Sequence, residues 1–379
     1  MAEQEVSMLR SIRKSFLGSR ALLDSAFAQV KVVGRLWSCI LACSLAAGCA
    51  APVTQRVTVD DRARVAEEQA QQAMALQSEF AMTLRLWSVG YAVLKASTAD
   101  CTEMLRPSLG IYTLSTEQLP AAARHRALES LRVDANQRIF AVYRSGAAEA
   151  AGVKPGDVIL SSSVGTKPAR EFRSEALQRM PSGVPVKLKL QRAGQYLEVD
   201  VVPDMVCDYP LQYRPSNDIN AFADGSIIYV TRGMMRFAAD DRELALVIAH
   251  ELAHNTMGHR GKKTANATVG LLFDVLGAAA GVNTRGAFSD VGARAFSQDF
   301  EREADHVGMY YLAQAGYPTE GAAQFWRRMA TEHPASIRTN LSATHPATAE
   351  RFIALERIAT DIRDKQGRGE PLTPVKAKP

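Results

Sequence analysis

The sequence predicts an α+β chain in which a β-rich part and a helix-rich part follow one long helix. Three observations carry this. Residues 61–96 are rich in Ala, Gln and Glu, with apolar positions thickening after Phe80, and read as helix. Residues 184–191 and 195–202 alternate apolar and polar around Ala193-Gly194 and read as a β-hairpin. Residues 243–249 are apolar and helix-favouring, with no Pro or Gly until Gly258, and run straight into His250-Glu-Leu-Ala-His254.

Composition bounds the class. A chain of 379 residues, 47% hydrophobic and 22% charged, can bury two domain cores. A formal net charge of +5 is small and no basic run stands out, which argues against a nucleic-acid partner.

From the amino terminus, Lys31 and Arg35 precede an apolar run over 36–47 that ends in Ala46-Ala-Gly-Cys49. The run is shorter than the roughly 20 residues a spanning helix needs, so residues 1–48 read as a leader and secretory signal. The ending resembles a bacterial lipoprotein box with Cys49 as lipid carrier, although Ala46 stands where Leu is usual. An ordinary signal peptide cut nearby is the alternative. The leader before residue 30 is long, which suggests a later start codon. No Asp follows Cys49, which by the same resemblance implies a periplasmic protein lipid-anchored to the outer membrane. A linker at 49–60 then leads to a helical segment at 61–104. Cys39, Cys43 and Cys49 fall in or at the signal, leaving Cys101 and Cys207. In an oxidising compartment this even pair reads as one disulfide, with two buried thiols as the alternative.

Residues 105–203 form the β-rich part. The stretch AGVKPGDVI at 151–159 resembles the helix–turn–strand centre of a PDZ domain. Leu109, Gly110 and Ile111 then resemble its carboxylate-binding loop, whose backbone N–H groups would hold a peptide C-terminus. A PDZ-like brace that binds no peptide is the alternative.

Residues 204–362 carry the chemistry. In HExxH the two histidines are four apart and share a helix face, so His250 and His254 can grip one zinc ion. Glu251 then points at the open position, where a general base is needed. A metzincin would have Gly at 257 and His at 260; Met257 and Arg260 exclude it. His259, nine residues past His250, should face the opposite side of a continuous helix at about 100° per residue and is read as non-ligating. Downstream, Glu301 and Asp305 are four apart. Glu301 can complete a His-His-Glu zinc set, and Asp305 can orient a ligand histidine through its second ring nitrogen. Glu303 is the rival ligand, roughly 200° round the helix from Glu301.

NAFA at 220–223, then IIYVTRG at 227–233, HELAH, ExEAD and THPATAER at 344–351 stand in the order seen in HtpX-like and CAAX-prenyl-protease-like zinc metallopeptidases, the periplasmic type above all. The resemblance implies a gluzincin fold with one zinc per chain on His250, His254 and Glu301. It also implies an edge strand at Asn220, Ala221 and Phe222 that pairs with an extended substrate. Many such proteins have Ser-Arg where this chain has Ser297-Gln298, which puts an ion pair in doubt. The reading is a metalloendopeptidase of cell-envelope quality control acting on polypeptides; a non-cleaving, chaperone-like PDZ binder of envelope proteins is the alternative. His345 sits before Pro346 on a loop that a helix start can aim. Three roles suit it: oxyanion donor, zinc ligand that closes the open position, or simple helix cap. Residues 264–292, rich in Gly and Ala, read as a mobile helical hairpin beside the cleft that could act as a lid, with Asp274, Asn283 and Arg285 arguing against a membrane span. Residues 363–379 read as a disordered tail.

Overall fold

The computed structural model describes Thr54 and residues 57–374 except 102, 120, 166–182, 281, 295–296, 333–344 and 346–347. The signal, Cys49 and Pro346 therefore lie outside the described residues. The chain divides into two compact units, Met1–Ala66 and Glu67–Pro379, and every described strand belongs to the second.

Helix α1 (Asp61–Ala96) is exposed over its first turns and buries Leu86, Val89, Tyr91, Val93 and Leu94 near its end. Strand β1 (Leu105–Ser108) follows, then β2 (Ile111–Leu114), α2 (Ala121–Leu131), β3 (Gln137–Val142), the short α3 (Ala147–Ala150) and β4 (Val158–Val164). Strands β5 (Val186–Arg192) and β6 (Gln195–Val201) form the hairpin around Ala193-Gly194, both at positive φ as a tight two-residue turn requires. Strands β2 to β6 make one antiparallel sheet in sequential order, with β2 on its edge. Its inward residues, among them Leu109, Ile139, Leu188 and Leu190, form a separate small core.

Strand β7 (Asp204–Cys207) returns to pair antiparallel with β1, closing the entry and exit of this sheet unit against each other. The Cys101–Cys207 disulfide ties the same junction, 106 residues apart in sequence. Lys95 reaches Asp204 at 2.9 Å, and Tyr91 donates to the same carboxylate at 2.6 Å, so the end of α1 is fastened there too.

The second half builds a three-stranded sheet from β8 (Leu211–Arg214), β9 (Ala221–Ala223) and β10 (Ile228–Thr231), in the order β8-β10-β9. Helix α4 (Arg232–Phe237) leads to α5 (Asp241–Thr256), whose residues from Glu243 to Asn255 are all buried. A helix buried on every side is enclosed by its neighbours, and here the buried set includes the polar Glu243, His250, Glu251, His254 and Asn255. Helices α6 (His259–Ala279) and α7 (Ala287–Arg294) pair as a hairpin, and α8 (Ser297–Gln314) then packs along α5. Helices α9 (Ala322–Glu332) and α10 (Ala349–Arg368) close the far side.

The disordered tail expected from 363 is corrected here. Helix α10 continues to Arg368 because Leu355, Ile358, Ala359 and Ile362 keep an apolar stripe on the core, and it ends at Gly369 in the left-handed conformation. Leu372 also packs on the core, its carbonyl accepting from Gln314 at 2.6 Å.

The start of α5 is held by charge. Asp240 caps it, accepting from Glu243 N–H at 2.8 Å. Buried Glu243 accepts from Arg328 of α9 at 3.0 and 2.9 Å and from Ala239 N–H at 2.9 Å. Burial alone would raise this carboxyl; the Arg328 hydrogen bonds and the Ala239 N–H outweigh it and hold the group below its usual value. A depressed folded pKa gives stability that is present above the unfolded pKa and lost as pH falls through the folded one. Glu243→Gln should therefore lower the unfolding free energy by about 2 kcal/mol at neutral pH. In urea titrations the gap to wild type should begin to narrow as pH falls below about 4.3 and close only below the depressed folded value; a gap independent of pH contradicts the assignment.

Candidate metal centre

Two helix faces meet at the site. On α5, His250 and His254 are one turn apart, and their Nε2 atoms lie 3.1 Å from each other. On α8, Glu301, Asp305 and Gly308 share the facing side. A Cβ at position 308 would lie 3.0 Å from His250 Cα and 3.1 Å from Ala249 O, so only Gly lets the helices approach this closely. That approach sets Glu301 Oε2 3.4 Å from His250 Nε2 and Glu301 Oε1 3.4 Å from His254 Nε2.

His345 comes from the loop before α10. Its Nδ1 lies 2.9 Å from Glu301 Oε2 and 3.3 Å from His250 Nε2, while its Nε2 is 3.4 Å from Glu251 Oε1. His250, His254, Glu301 and His345 thus offer four donor atoms within 4.8 Å of one another. Donors at zinc distance on a tetrahedron stand roughly 3.3–3.4 Å apart. The His250–Glu301, His254–Glu301 and His250–His345 spacings match this, while the 3.1 Å between the two α5 histidines and the 2.9 Å from His345 to Glu301 are shorter. Two further observations fit a dication. Glu301 Oε1 is buried without a hydrogen-bond partner. Glu251, Glu301 and Asp305 are three buried carboxylates around the centre, and Arg351 pairs with the last two. With the imidazoles neutral, as metal ligation requires, the excess of two negative charges is one that a divalent cation balances. Without a metal, burial opposes charge on His250 and His345, but the same carboxylates outweigh it and hold both towards their charged forms.

The surrounding residues orient the donors. Asp305 Oδ1 lies 3.1 Å from His250 Nδ1, an ion-pair contact outside hydrogen-bond geometry, while the other ring nitrogen faces the centre. Arg351 of α10 grips Asp305 with two hydrogen bonds of 2.7 and 2.8 Å and also comes within 3.4 Å of Glu301. Burial would raise the Asp305 carboxyl, but the Arg351 charge outweighs it and holds the group low. No local spacing in the sequence points to this role of Arg351, because its partner lies 46 residues away.

His259 requires a correction. It does not offer a donor to the four-atom group, but neither does it face away. Helix α5 stops at Thr256 and Gly258 takes φ +64, so α6 starts on a new axis and the rotation per residue does not carry across. His259 Nδ1 instead lies 2.8 Å from His254 Nδ1, and its Nε2 lies 2.8 Å from Glu303 Oε2. Burial pushes its imidazole below the usual value, so the ring is neutral at pH 7. One proton arrangement satisfies the row: His254 donates from Nδ1 to His259, and His259 donates from Nε2 to Glu303. Glu303, the rival ligand, is occupied there and by Lys262 at 3.6 Å.

Beside the centre, β9 is the edge of its sheet among the described residues and packs against α5. Ala221 is buried, Phe222 is partly exposed and stacks on Tyr229 at 4.7 Å, and Asn220 is held by Thr231. In the sheet unit, Leu109 and Ile111 line a cavity of about 360 Å³ together with Tyr91 and Arg106. The carbonyls of Leu109 and Gly110 are taken by Ala148 and Tyr143 N–H groups.

Residues 209–359 match the model of peptidase family M48. The mitochondrial metalloendopeptidase OMA1 of Schizosaccharomyces pombe is 29% identical over 206 residues, 52% of this chain and 60% of that protein. The beta-barrel assembly-enhancing protease of Yersinia pestis is 28% identical over 176 residues, 42% of this chain and 35% of that protein. The metalloprotease YcaL of Escherichia coli is 25% identical over 215 residues, 53% of this chain and 81% of that protein. The chain thus spans 60% and 35% of the length of the first two. Among solved structures, the HtrA-type protease AlgW with decapeptide is 26% identical over 27% of this chain and 30% of its own, at a TM-score of 0.20, too low to bear on the fold.

The row from His254 to Glu303 makes a prediction about metal affinity rather than catalysis. His259→Ala should weaken zinc binding about 10- to 100-fold in chelator competition, with the helical content unchanged. Wild-type affinity in that variant would leave His259 a packing residue.

Proposed function

We propose, from a chain whose residues 209–359 match peptidase family M48, that this protein is a zinc metalloendopeptidase. The carrying observation is the convergence of four donors, three on buried residues and one on half-buried His345, with Glu251 at their edge. His250, His254 and Glu301 are the proposed zinc ligands, and a zinc ion held there would supply Lewis acidity and a water of lowered pKa. Glu251 takes the proton of the attacking water and passes it to the leaving amine. Asp305 keeps His250 in the ligating tautomer, with Arg351 fixing Asp305. An extended substrate would add by backbone hydrogen bonds to the edge that runs over Asn220, Ala221 and Phe222, where the backbone of Asn220 is already engaged by Thr231 and Ala221 is the residue left to pair.

For His345 the 2.9 and 3.3 Å approaches favour the fourth-ligand reading over a cap. In that arrangement His345 fills the position a substrate carbonyl needs, and the side chain must leave it before cleavage.

The finer readings rest on sequence resemblance. AGVKPGDVI and the loop at Leu109, Gly110 and Ile111 support a PDZ-like module for peptide C-termini. The box ending in Cys49 supports a lipid anchor in the outer membrane. One relative is named for β-barrel assembly, and this supports polypeptides of the cell envelope as substrates.

Glu251→Gln tests the reading. It should keep one zinc per chain and lose casein cleavage by about 10²–10⁴-fold. Cleavage near the wild-type rate would remove Glu251 as the base, and absence of cleavage by zinc-loaded wild type would favour the non-cleaving binder.

A further inference from the structure

The α6–α7 hairpin carries an apolar surface that the metal centre does not use. At about 100° per residue, Val269, Leu272, Phe273 and Leu276 share one side of α6. The Phe273 ring lies 6.1 Å from Phe288, which brings Phe288 and Val291 of α7 onto the same surface. All six are between 49% and 67% exposed. Single exposed apolar residues are ordinary, but a contiguous set of this size marks an interaction surface.

Several polar groups around it are satisfied within the protein. Between Lys263 and Arg285 the one charged side chain is Asp274, and it is turned inward. It accepts from Thr284 Oγ1 at 2.5 Å, from Ser289 N–H at 2.8 Å and from Phe288 N–H at 3.2 Å. The Thr264 and Thr268 hydroxyls donate to carbonyls one turn back, at 3.0 and 2.9 Å. The helical backbone satisfies itself, as a surface entering lipid requires. None of the six is Trp, Tyr or Arg, the anchors that protein interfaces favour. Cations stand at both ends of the stretch that holds only the inward Asp274: Arg260, Lys262 and Lys263 before it, Arg285 after it, with exposed Asp290 of α7 as the one acidic group beside the six. Apolar in the middle and cationic at the ends is the pattern of a helix pair lying in the headgroup layer of an anionic bilayer. No helix among the described residues is long and apolar enough to cross a membrane.

We propose that the α6–α7 hairpin docks flat on an anionic phospholipid surface through Val269, Leu272, Phe273, Leu276, Phe288 and Val291. Because α6 begins one residue after the turn that ends α5, docking would hold the metal centre next to the bilayer. The proposal is independent of whether the centre cuts peptides.

The test places an environment-sensitive nitrobenzoxadiazole label at Leu272→Cys in the full chain, with Cys39→Ser, Cys43→Ser and Cys49→Ser removing the other thiols and any lipid. Vesicles of phosphatidylethanolamine and phosphatidylglycerol should shift its emission to the blue, and lipid-borne quenchers should quench it. The same label at Tyr196→Cys, on the exposed face of the sheet unit, should stay in water. Adding Phe273→Asn and Leu276→Asn should abolish the shift at Leu272→Cys while zinc content stays unchanged. Absence of a shift with vesicles would overturn the proposal. So would a shift that grows with protein concentration alone, which means a second copy, or one produced only by unfolded casein, which means a client surface. An equal response with phosphatidylcholine and at high salt would remove the role of the cations and with it the anionic partner.

Discussion

The closeness of α5 and α8 at Gly308 is the constraint on which the centre depends. With a Cβ at that position barely 3.0 Å from His250 Cα, any larger residue would push the helices apart. Glu301 and Asp305 sit two turns and one turn before Gly308 on the same face, so their distance to His250 and His254 is set by that single contact. The packed core around it, with Ala249, Ala253, Ala304 and Val307 buried between the helices, leaves little room for relaxation.

The closeness creates an electrostatic problem that the rest of the fold addresses. Three carboxylates and three imidazoles share a buried volume, and isolated buried charges are costly. Arg351 supplies one positive charge from α10, and a dication would supply two more. The two α5 histidines proposed as ligands are then braced by separate sets of residues, His250 by Asp305 and Arg351, and His254 by His259 and Glu303. The braces come from three elements, Asp305 and Glu303 from α8, His259 from α6 and Arg351 from α10, so the centre is complete only when α5, α6, α8 and α10 have all docked. The sheet unit is fastened separately, through β1–β7 pairing, the Cys101–Cys207 disulfide and the end of α1.

Local periodicity governs what is legible in the sequence. One-turn spacings at His250/His254 and Glu301/Asp305 bring those side chains onto helix faces, and the alternation around Ala193-Gly194 describes a two-strand turn. Chain breaks and distant partners govern what is not. A single helix over 250–259 would put His259 on the wrong side, because Gly258 restarts the axis. Arg351 carries no local signal, since its role exists only once α10 reaches α8. The carboxy-terminal stretch looks polar enough for a tail, yet Ile362 and Leu372 find the core when α10 lies along it. The three roles open to His345 differ by a few ångströms in a loop position, which no spacing rule specifies.

Zinc K-edge X-ray absorption on the purified, zinc-loaded full chain reads the four-donor centre directly. Such a centre requires one zinc with three imidazole nitrogens and a carboxylate oxygen at about 2.0–2.1 Å. A shell with two imidazoles would take His345 off the metal, and a shell containing sulfur would place the metal elsewhere in the chain; either would contradict the four-donor centre.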